Sequence, residues 1–152
     1  MFLVGDGRDR IEQKIRHLFA SEPSVGLVIA AVYFEWSICR ALLCLSTSPN
    51  KELRSRIEKA HGLRAYKDIW AREVKNGTRL SVLVKAWHAL TQTFDVRNLL
   101  VHGRDRYTRN MAAPHLEVLL AAVANVWDYC AEAGHDLSKR LPVRRKTRER
   151  RK

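Results

Sequence analysis

Residues 95–103, with the sequence DVRNLLVHG, bring three polar side chains of different chemistry close together. Arg97 is a permanent cation, Asn98 is an amide that both donates and accepts hydrogen bonds, and His102 carries an imidazole that can exchange protons. Cleavage of RNA by its own 2′-hydroxyl needs an acid–base group and a positive charge beside the phosphate. His102 and Arg97 meet these two needs without a metal, and Asn98 could orient the imidazole or donate to a phosphate oxygen.

The spacing of these three residues sets a geometric condition on the site. On a helix, Asn98 and His102 share nearly one face, whereas Arg97 is turned about 140° away from His102. A helix that stops at Gly103 relieves this, because His102 can then turn back toward the long Arg97 side chain. The carboxyl end of a helix also favours a positively charged imidazolium. The alternative is a surface Arg and a helix-capping His, which spacing alone favours because short motifs recur by chance.

The hexapeptide RNLLVH, residues 97–102, resembles the Arg, polar residue, spacer, His signature of HEPN domains. These helical proteins include many bacterial toxin and antiviral ribonucleases. Arg97, Asn98 and His102 match the motif position by position, and the resemblance covers residues 1 to about 135 in architecture. Some HEPN toxins carry a Tyr two residues after the His that their antitoxin modifies. This chain has Arg104 there, so that mode of control is not implied.

The resemblance implies a metal-independent endoribonuclease of the toxin or phage-defence type that needs no cofactor. It also implies a homodimer in which two copies of the motif face one cleft, and an antitoxin or other regulatory protein as a candidate partner. The alternative, from another functional class, is a non-catalytic HEPN-like module that binds RNA or a protein partner. A weaker third hypothesis is an antitoxin-like or adaptor protein.

Glu35 and Arg40 are ionisable residues on an otherwise apolar predicted helix, where charged groups need partners. Glu35 is a candidate member of the catalytic site, where it could orient Arg97 or hold the imidazolium. The equally weighted alternative is a structural ion pair or a position at the rim of the fold.

A basic loop follows the motif, and its side chains are candidates for binding RNA phosphates and stacking on a base. These are Arg104, Arg106, Tyr107 and Arg109. Solvated loops of this kind are common, which is the alternative. The other histidines show no metal-ligand spacing and are predicted to be ordinary surface or core residues, namely His17, His61, His88, His115 and His135. No metal site is expected.

The positive charge of the chain is concentrated at its carboxyl end. Residues 138–152 hold nine Lys or Arg against one Glu, a net charge of +8 of the chain's +12. A terminal run of like charges repels itself, so it is predicted to be a disordered tail that binds RNA or an acidic partner, with Arg144, Arg145 and Lys146 at its centre. The alternative is a solvated tail that only aids solubility.

Apolar residues at helical spacing predict the elements that position these groups. The predicted helices are residues 6–20, 24–45, 50–61 with a continuation over 63–74, 78–102 and 111–133. Helix 24–45 is long enough to cross a bilayer, but charges near its middle would cost about 2.5–3.5 kcal/mol each, which favours a buried central helix and no membrane.

The fold class expected from this pattern is all-α, a HEPN-like bundle of four to five helices over residues 1–137, followed by the basic tail 138–152. Three cysteines without C-x-x-C spacing are expected to be reduced core residues, Cys39, Cys44 and Cys130. The first residues lack the long apolar region of a secretory signal, so a cytoplasmic protein is expected.

Overall fold

The computed structural model describes residues 6–103 and 107–146, and within these ranges the chain is all-α. The helices found there are α1 (Arg8–Ser21), α2 (Pro23–Leu45), α3 (Asn50–Glu58), α4 (Gly62–Glu73), α5 (Leu80–Leu83), α6 (Trp87–Val101) and α7 (Arg109–Glu132). The predicted fold class is therefore confirmed at the level of an all-α protein. The helices number seven in the described part of the chain, more than the four or five expected.

Helix α2 is the centre of the bundle. It packs chiefly against α7 and α1, and also against α6, α4 and α3. By length and composition alone α2 could cross a membrane, but two thirds of its most apolar stretch is buried inside the protein. Other helices cover α2 on most sides, so its apolar side chains are buried by packing within the protein, as the sequence predicted.

Two tryptophan side chains link separate parts of the bundle through indole hydrogen bonds. Trp70 on α4 is fully buried and its Nε1 donates to the carbonyl oxygen of Thr78 at 3.0 Å. Trp127 on α7 donates from its Nε1 to the hydroxyl of Ser37 on α2 at 3.0 Å. Each ring buries a large apolar area while its N–H keeps a hydrogen bond, so neither contact leaves a polar group unsatisfied.

The predicted single helix over residues 78–102 is wrong, because the chain forms two helices there. Helix α5 ends at Leu83, and α6 begins at Trp87. At the break, the backbone N–H of Lys85 donates to the side-chain oxygen of Asn125 on α7 at 3.2 Å. A long-range hydrogen bond thus replaces a helical one, which local periodicity cannot anticipate.

As far as Lys146, the carboxyl-terminal segment packs against the helices, whereas the sequence predicted a disordered tail from residue 138. Residues 138–146 pack against the end of α2 and the start of α3. There the Arg144 guanidinium donates to the carbonyl oxygens of Leu43 at 2.7 Å and Ser48 at 3.0 Å. Asn50 donates to the carbonyl of Pro142 and accepts from the N–H of Arg144. Exposed carbonyls at the end of α2 attract the guanidinium. Residues 147–152 lie outside the described ranges.

Candidate functional site: a groove beside the Arg97 motif

Helix α6 presents the motif at its carboxyl end, as the sequence predicted. The helix ends at Val101, His102 caps it, and the N–H of His102 donates to the carbonyl oxygen of Asn98 at 3.1 Å. Gly103 follows with a φ of +62°, a left-handed conformation that glycine adopts at little cost. Arg97 and Asn98 therefore lie in the last turns of a helix that stops where expected.

Arg97 and Asn98 line a surface groove of about 640 Å³, which we call the motif groove. Its walls come from α2, from the α3–α4 turn with the start of α4, and from α6. The lining residues are Glu35, Ala60, His61, Gly62, Leu63, Arg64, Tyr66, Thr91, Phe94, Asp95, Arg97 and Asn98. A concave site of this size with several convergent polar groups is typical of ligand-binding sites.

The Arg97 guanidinium has one hydrogen bond to its neighbour and one buried N–H without a described partner. Its Nη1 donates to Oδ1 of Asn98 at 3.1 Å. Its Nε is buried and has no hydrogen-bond partner among the described residues. Buried polar atoms of native proteins are nearly always hydrogen-bonded, so the unpaired Nε is unusual. Because it has almost no accessible surface, an acceptor such as a phosphate oxygen reaches it only after the Arg97 side chain shifts, whereas the guanidinium as a whole lines the groove.

Glu35 faces the same groove from α2. Burial raises the pKa of its carboxyl group, and the nearby positive charge of Arg97 partly offsets this increase. The two side chains, both within the described ranges, do not form a direct ion pair. Glu35 therefore lies close enough to influence Arg97 electrostatically without neutralising it through contact.

Two further polar groups lie beside Glu35. Tyr66, which lines the groove, lies close to the Cys39 thiol, and burial raises the pKa of Cys39 to about 11. Burial also raises the pKa of Tyr66. Both groups are therefore neutral at physiological pH, and Cys39 is a poor nucleophile because only the thiolate reacts readily. Cys39, Cys44 and Cys130 are all free thiols, as expected.

His102 has a different position from Arg97. It is exposed at the end of α6 and does not line the motif groove. On the helix it follows Asn98 by one turn, so Asn98 lies between the imidazole and the guanidinium along the chain. The structure therefore brings Arg97, Asn98 and Glu35 into one groove and leaves His102 at the adjoining helix end.

Arg40 is separate from this site and from Glu35. Its Nε donates to the carbonyl of Leu137 at 2.6 Å and its Nη2 to the carbonyl of Lys139 at 2.5 Å. The guanidinium also lies 4.9 Å from the ring centroid of Trp36, a cation–π contact. Arg40 holds the carboxyl-terminal segment against α2, and the pair with Glu35 that the sequence left open does not form.

Most of the described residues that were predicted to bind RNA have partners within the chain. The Tyr107 ring packs edge-on against His115 at 6.3 Å, and the Arg109 guanidinium donates to the carbonyl of Ala20. Arg144 is bonded as described above, and Lys146 lies 3.7 Å from a Glu52 carboxylate oxygen. Arg145 is exposed. Arg104 and Arg106 lie outside the described residues.

A larger cavity of about 830 Å³ lies elsewhere, at the end of α4 and the loop that follows it. Its one carboxylate, Glu73, accepts from the hydroxyl of Ser46 at 2.5 Å and from the Arg56 guanidinium. Burial raises the pKa of Glu73, but these contacts together outweigh it, so the pKa is lowered and the charge is paired. The cavity is therefore a poorer candidate for chemistry than the motif groove, where the Arg97 Nε is unpaired.

His61 is the groove residue that sequence reasoning missed. It was grouped with the ordinary histidines, yet it lines the motif groove from the turn between α3 and α4, on a different wall from Arg97. The only local signal was its place before Gly62 at a helix interruption, which says nothing about what it faces. Among the described residues no group of three or more His, Cys, Asp and Glu could hold a metal ion.

Comparison with protein-family models, curated proteins and solved structures finds no match to this chain. What the groove can do must therefore follow from its own residues.

Proposed function

We propose that the chain is a metal-independent endoribonuclease of the HEPN type, acting in the cytoplasm as a toxin or in phage defence. The observation that carries the proposal is the motif groove, where Arg97 has a buried Nε without a described partner beside Asn98 and Glu35. Arg97 and Asn98 are also the two positions that open the HEPN-like hexapeptide. A guanidinium that lines a groove without a direct ion-pair partner among the described residues is suited to a phosphodiester.

In this proposal each groove residue has a distinct task. Arg97 donates to the non-bridging oxygens as negative charge develops on the phosphorane, which is the step where a preorganised donor helps most. Asn98 holds Arg97 through its Oδ1 and keeps its amide N–H₂ group for a phosphate oxygen or for His102. Glu35 keeps Arg97 directed into the groove. His102 transfers a proton, and the products are a 2′,3′-cyclic phosphate and a 5′-hydroxyl.

We also propose that the chain forms a homodimer through the surface beside the groove. Exposed apolar side chains lie one turn from two of its lining residues: Val32 precedes Glu35 on α2 and is 38% exposed, and Val101 follows Arg97 on α6 and is 51% exposed. Val25, two turns before Val32, is also exposed. Apolar surface next to a polar groove is typical of an interface. A partner would bring a second copy of His102 toward the cleft.

The second candidate function is a non-catalytic module that binds RNA or a regulatory protein partner. The position of His102 favours it, because the imidazole is exposed at the helix end and outside the groove. The two candidates differ in one measurable property, since only the first cleaves RNA.

The deciding experiment incubates the purified protein with total RNA in EDTA, beside Arg97→Ala and His102→Ala. We expect wild-type cleavage with 2′,3′-cyclic phosphate ends, and a loss of rate on the order of 10² or more in both variants. His88→Ala is the matched control, because His88 is exposed on the same helix but outside the groove, and it should cleave normally.

Circular dichroism confirms that each variant is folded, and light scattering of the wild type should give the mass of a dimer. Equal cleavage by the wild type and both motif variants contradicts the site. RNA binding without any cleavage by the wild type favours the non-catalytic module, and a monomer that still cleaves contradicts the dimer.

A further inference from the structure

The third wall of the motif groove is formed by the turn before α4 and the start of α4. It carries a histidine for which the described residues show no structural role. His61 is the residue before α4, at its N-cap position, and its side chain makes no capping hydrogen bond. It is exposed, and among the described residues it has no hydrogen-bond or ion-pair partner. An N-cap position usually carries a side chain that accepts from the first helical N–H groups, and His61 does not use it this way.

The reaction of the proposed function needs two proton transfers. As the bond between O2′ and phosphorus forms, a base removes the 2′-hydroxyl proton. As the bond between phosphorus and O5′ breaks, an acid delivers a proton to the leaving O5′. One histidine of the motif supplies one of these groups, and that histidine lies outside the groove that holds Arg97. His61 lines that groove, which makes it a candidate for the second group.

We propose that His61 is a second proton-transferring residue of the motif groove, acting with His102 on the phosphodiester that Arg97 binds. This inference rests on the proposed ribonuclease function. One of the two imidazoles, in its neutral form, takes the 2′-hydroxyl proton, and the other, as imidazolium, protonates O5′. Protons and electron pairs balance without a metal or any other reactant, and the products are the cyclic phosphate and the 5′-hydroxyl.

The other titratable or charged groups that line the groove with His61 bear on the pH dependence of its proposed role. They are Glu35 from α2, Arg64 and Tyr66 from α4, and Asp95 and Arg97 from α6. Burial raises the pKa of Glu35, which makes this carboxyl the rival candidate for one of the two proton transfers. Glu35→Gln is therefore measured beside the histidine variants.

The test is single-turnover cleavage, from pH 5 to 9, of an RNA oligonucleotide that contains a site cut by the wild type in total RNA. We expect a bell-shaped profile for the wild type. His61→Ala and His61→Gln should lower the maximal rate by about 10²-fold and remove one limb of the bell, with little change in the RNA concentration needed for saturation. His88→Ala should match the wild type.

A second substrate identifies which transfer His61 performs. In an RNA whose bridging 5′-oxygen is replaced by sulfur, the leaving thiolate needs no protonation. Recovery of the His61→Ala rate on this substrate assigns the acid role to His61, and a persistent loss together with a missing acidic limb assigns the base role.

The outcomes separate the two proposals. If His61→Ala keeps the wild-type rate and both limbs while Arg97→Ala and His102→Ala are inactive, the ribonuclease stands and the role of His61 is refuted. A variant that only raises the saturating RNA concentration makes His61 a binding residue and also refutes the proton-transfer role. Loss of a limb in Glu35→Gln but not in His61→Ala assigns the second transfer to Glu35. A wild type that cuts no RNA overturns both proposals.

Discussion

Glu35 is a carboxyl group held where its charge is unfavourable. Burial raises its pKa above the ordinary value, and the Arg97 charge compensates only in part. Because the folded-state pKa lies above that of the unfolded chain, the contribution of Glu35 to stability is fully present at low pH. It is lost as the pH rises through the folded-state value. A buried carboxyl with a raised pKa beside a guanidinium that it does not pair with directly is more typical of functional sites than of structural ones.

We expect Glu35→Gln to raise the urea midpoint of unfolding relative to the wild type at pH 7 to 8, because the amide carries no buried charge. The difference should shrink as the pH falls toward 4, where Glu35 itself becomes neutral. Urea unfolding of both proteins across this range measures it.

Glu117→Gln is the control with the opposite sign. A hydrogen bond from Arg16 lowers the pKa of Glu117, so its contribution is present at neutral pH and is lost as the pH falls. This variant should be less stable than the wild type at pH 7. A Glu35→Gln protein that is destabilised at pH 7 would show that Arg97 outweighs burial.

At the scale of the element, the two ends of α6 decide where the motif points. Its start is displaced to Trp87 by the bond between Lys85 and Asn125, and its end is set by the left-handed Gly103. His102 lies between Val101, the last residue of α6, and the left-handed Gly103. The way the helix ends therefore sets the direction of the His102 side chain. The end of α6 therefore couples helix termination to the proposed chemistry.

We expect Gly103→Ala to lower the free energy of unfolding by about 1–2 kcal/mol, the cost of a left-handed conformation for a residue with a Cβ. No atom of the described residues lies within 4 Å of the added Cβ, so the expected strain is that of the backbone. The variant should also cleave RNA more slowly, because relief of the strain redirects His102. Chemical denaturation and the cleavage assay measure the two effects.

Gly134→Ala is the matched control. Gly134 follows α7 with a φ of +82°, also with no atom of the described part of the chain within 4 Å of the added Cβ, and it lies outside the motif groove. It should lose similar stability and keep full cleavage. Equal loss of activity in both variants would show that activity follows global stability and not the end of α6.

At the scale of the whole molecule, the carboxyl-terminal segment has two parts with different roles. Residues 138–146 close over the ends of α2 and α3 through Arg40, Asn50 and Arg144. Residues 147–152 hold four Lys or Arg against one Glu, and they remain the predicted electrostatic anchor for RNA. A single truncation of the whole tail would mix a structural effect with a binding effect.

Two truncations should separate these roles. Removal of residues 147–152 should leave thermal stability unchanged and flatten the salt dependence of RNA binding, by about 0.7 in the log–log slope for each phosphate that is no longer neutralised. Removal of residues 138–152 should in addition cost about 1–3 kcal/mol of stability, because the hydrogen bonds from this segment to Arg40 and Asn50 are lost. The shorter truncation should leave single-turnover cleavage at saturating RNA unchanged.

Arg144→Ala and Arg145→Ala form a control pair with equal loss of charge. Arg144 is bonded to the carbonyls of Leu43 and Ser48, whereas Arg145 is exposed. Only Arg144→Ala should lower the melting temperature. Unchanged salt dependence after removal of residues 147–152 would point to an acidic protein partner for the tail.

Much of the secondary structure was predictable from the chain alone. Helical periodicity indicated α1, α2, α4 and α7 to within a few residues, and Gly103 marked the end of α6. The apolar composition of α2 with its two charges indicated a buried central helix. These features depend on contacts between residues three or four positions apart and on backbone conformation, both of which the local sequence determines.

The candidate site was only partly predictable. Arg97, Asn98 and Glu35 were named from the sequence, and they line one groove. Tertiary packing alone decided that His61 completes its third wall, that Arg40 binds the carboxyl-terminal segment, and that Arg109 turns to the end of α1. Periodicity indicates which face of a helix is buried but not which neighbour covers it. The partners of these side chains depend on contacts between residues far apart in the chain, which form only when the helices pack.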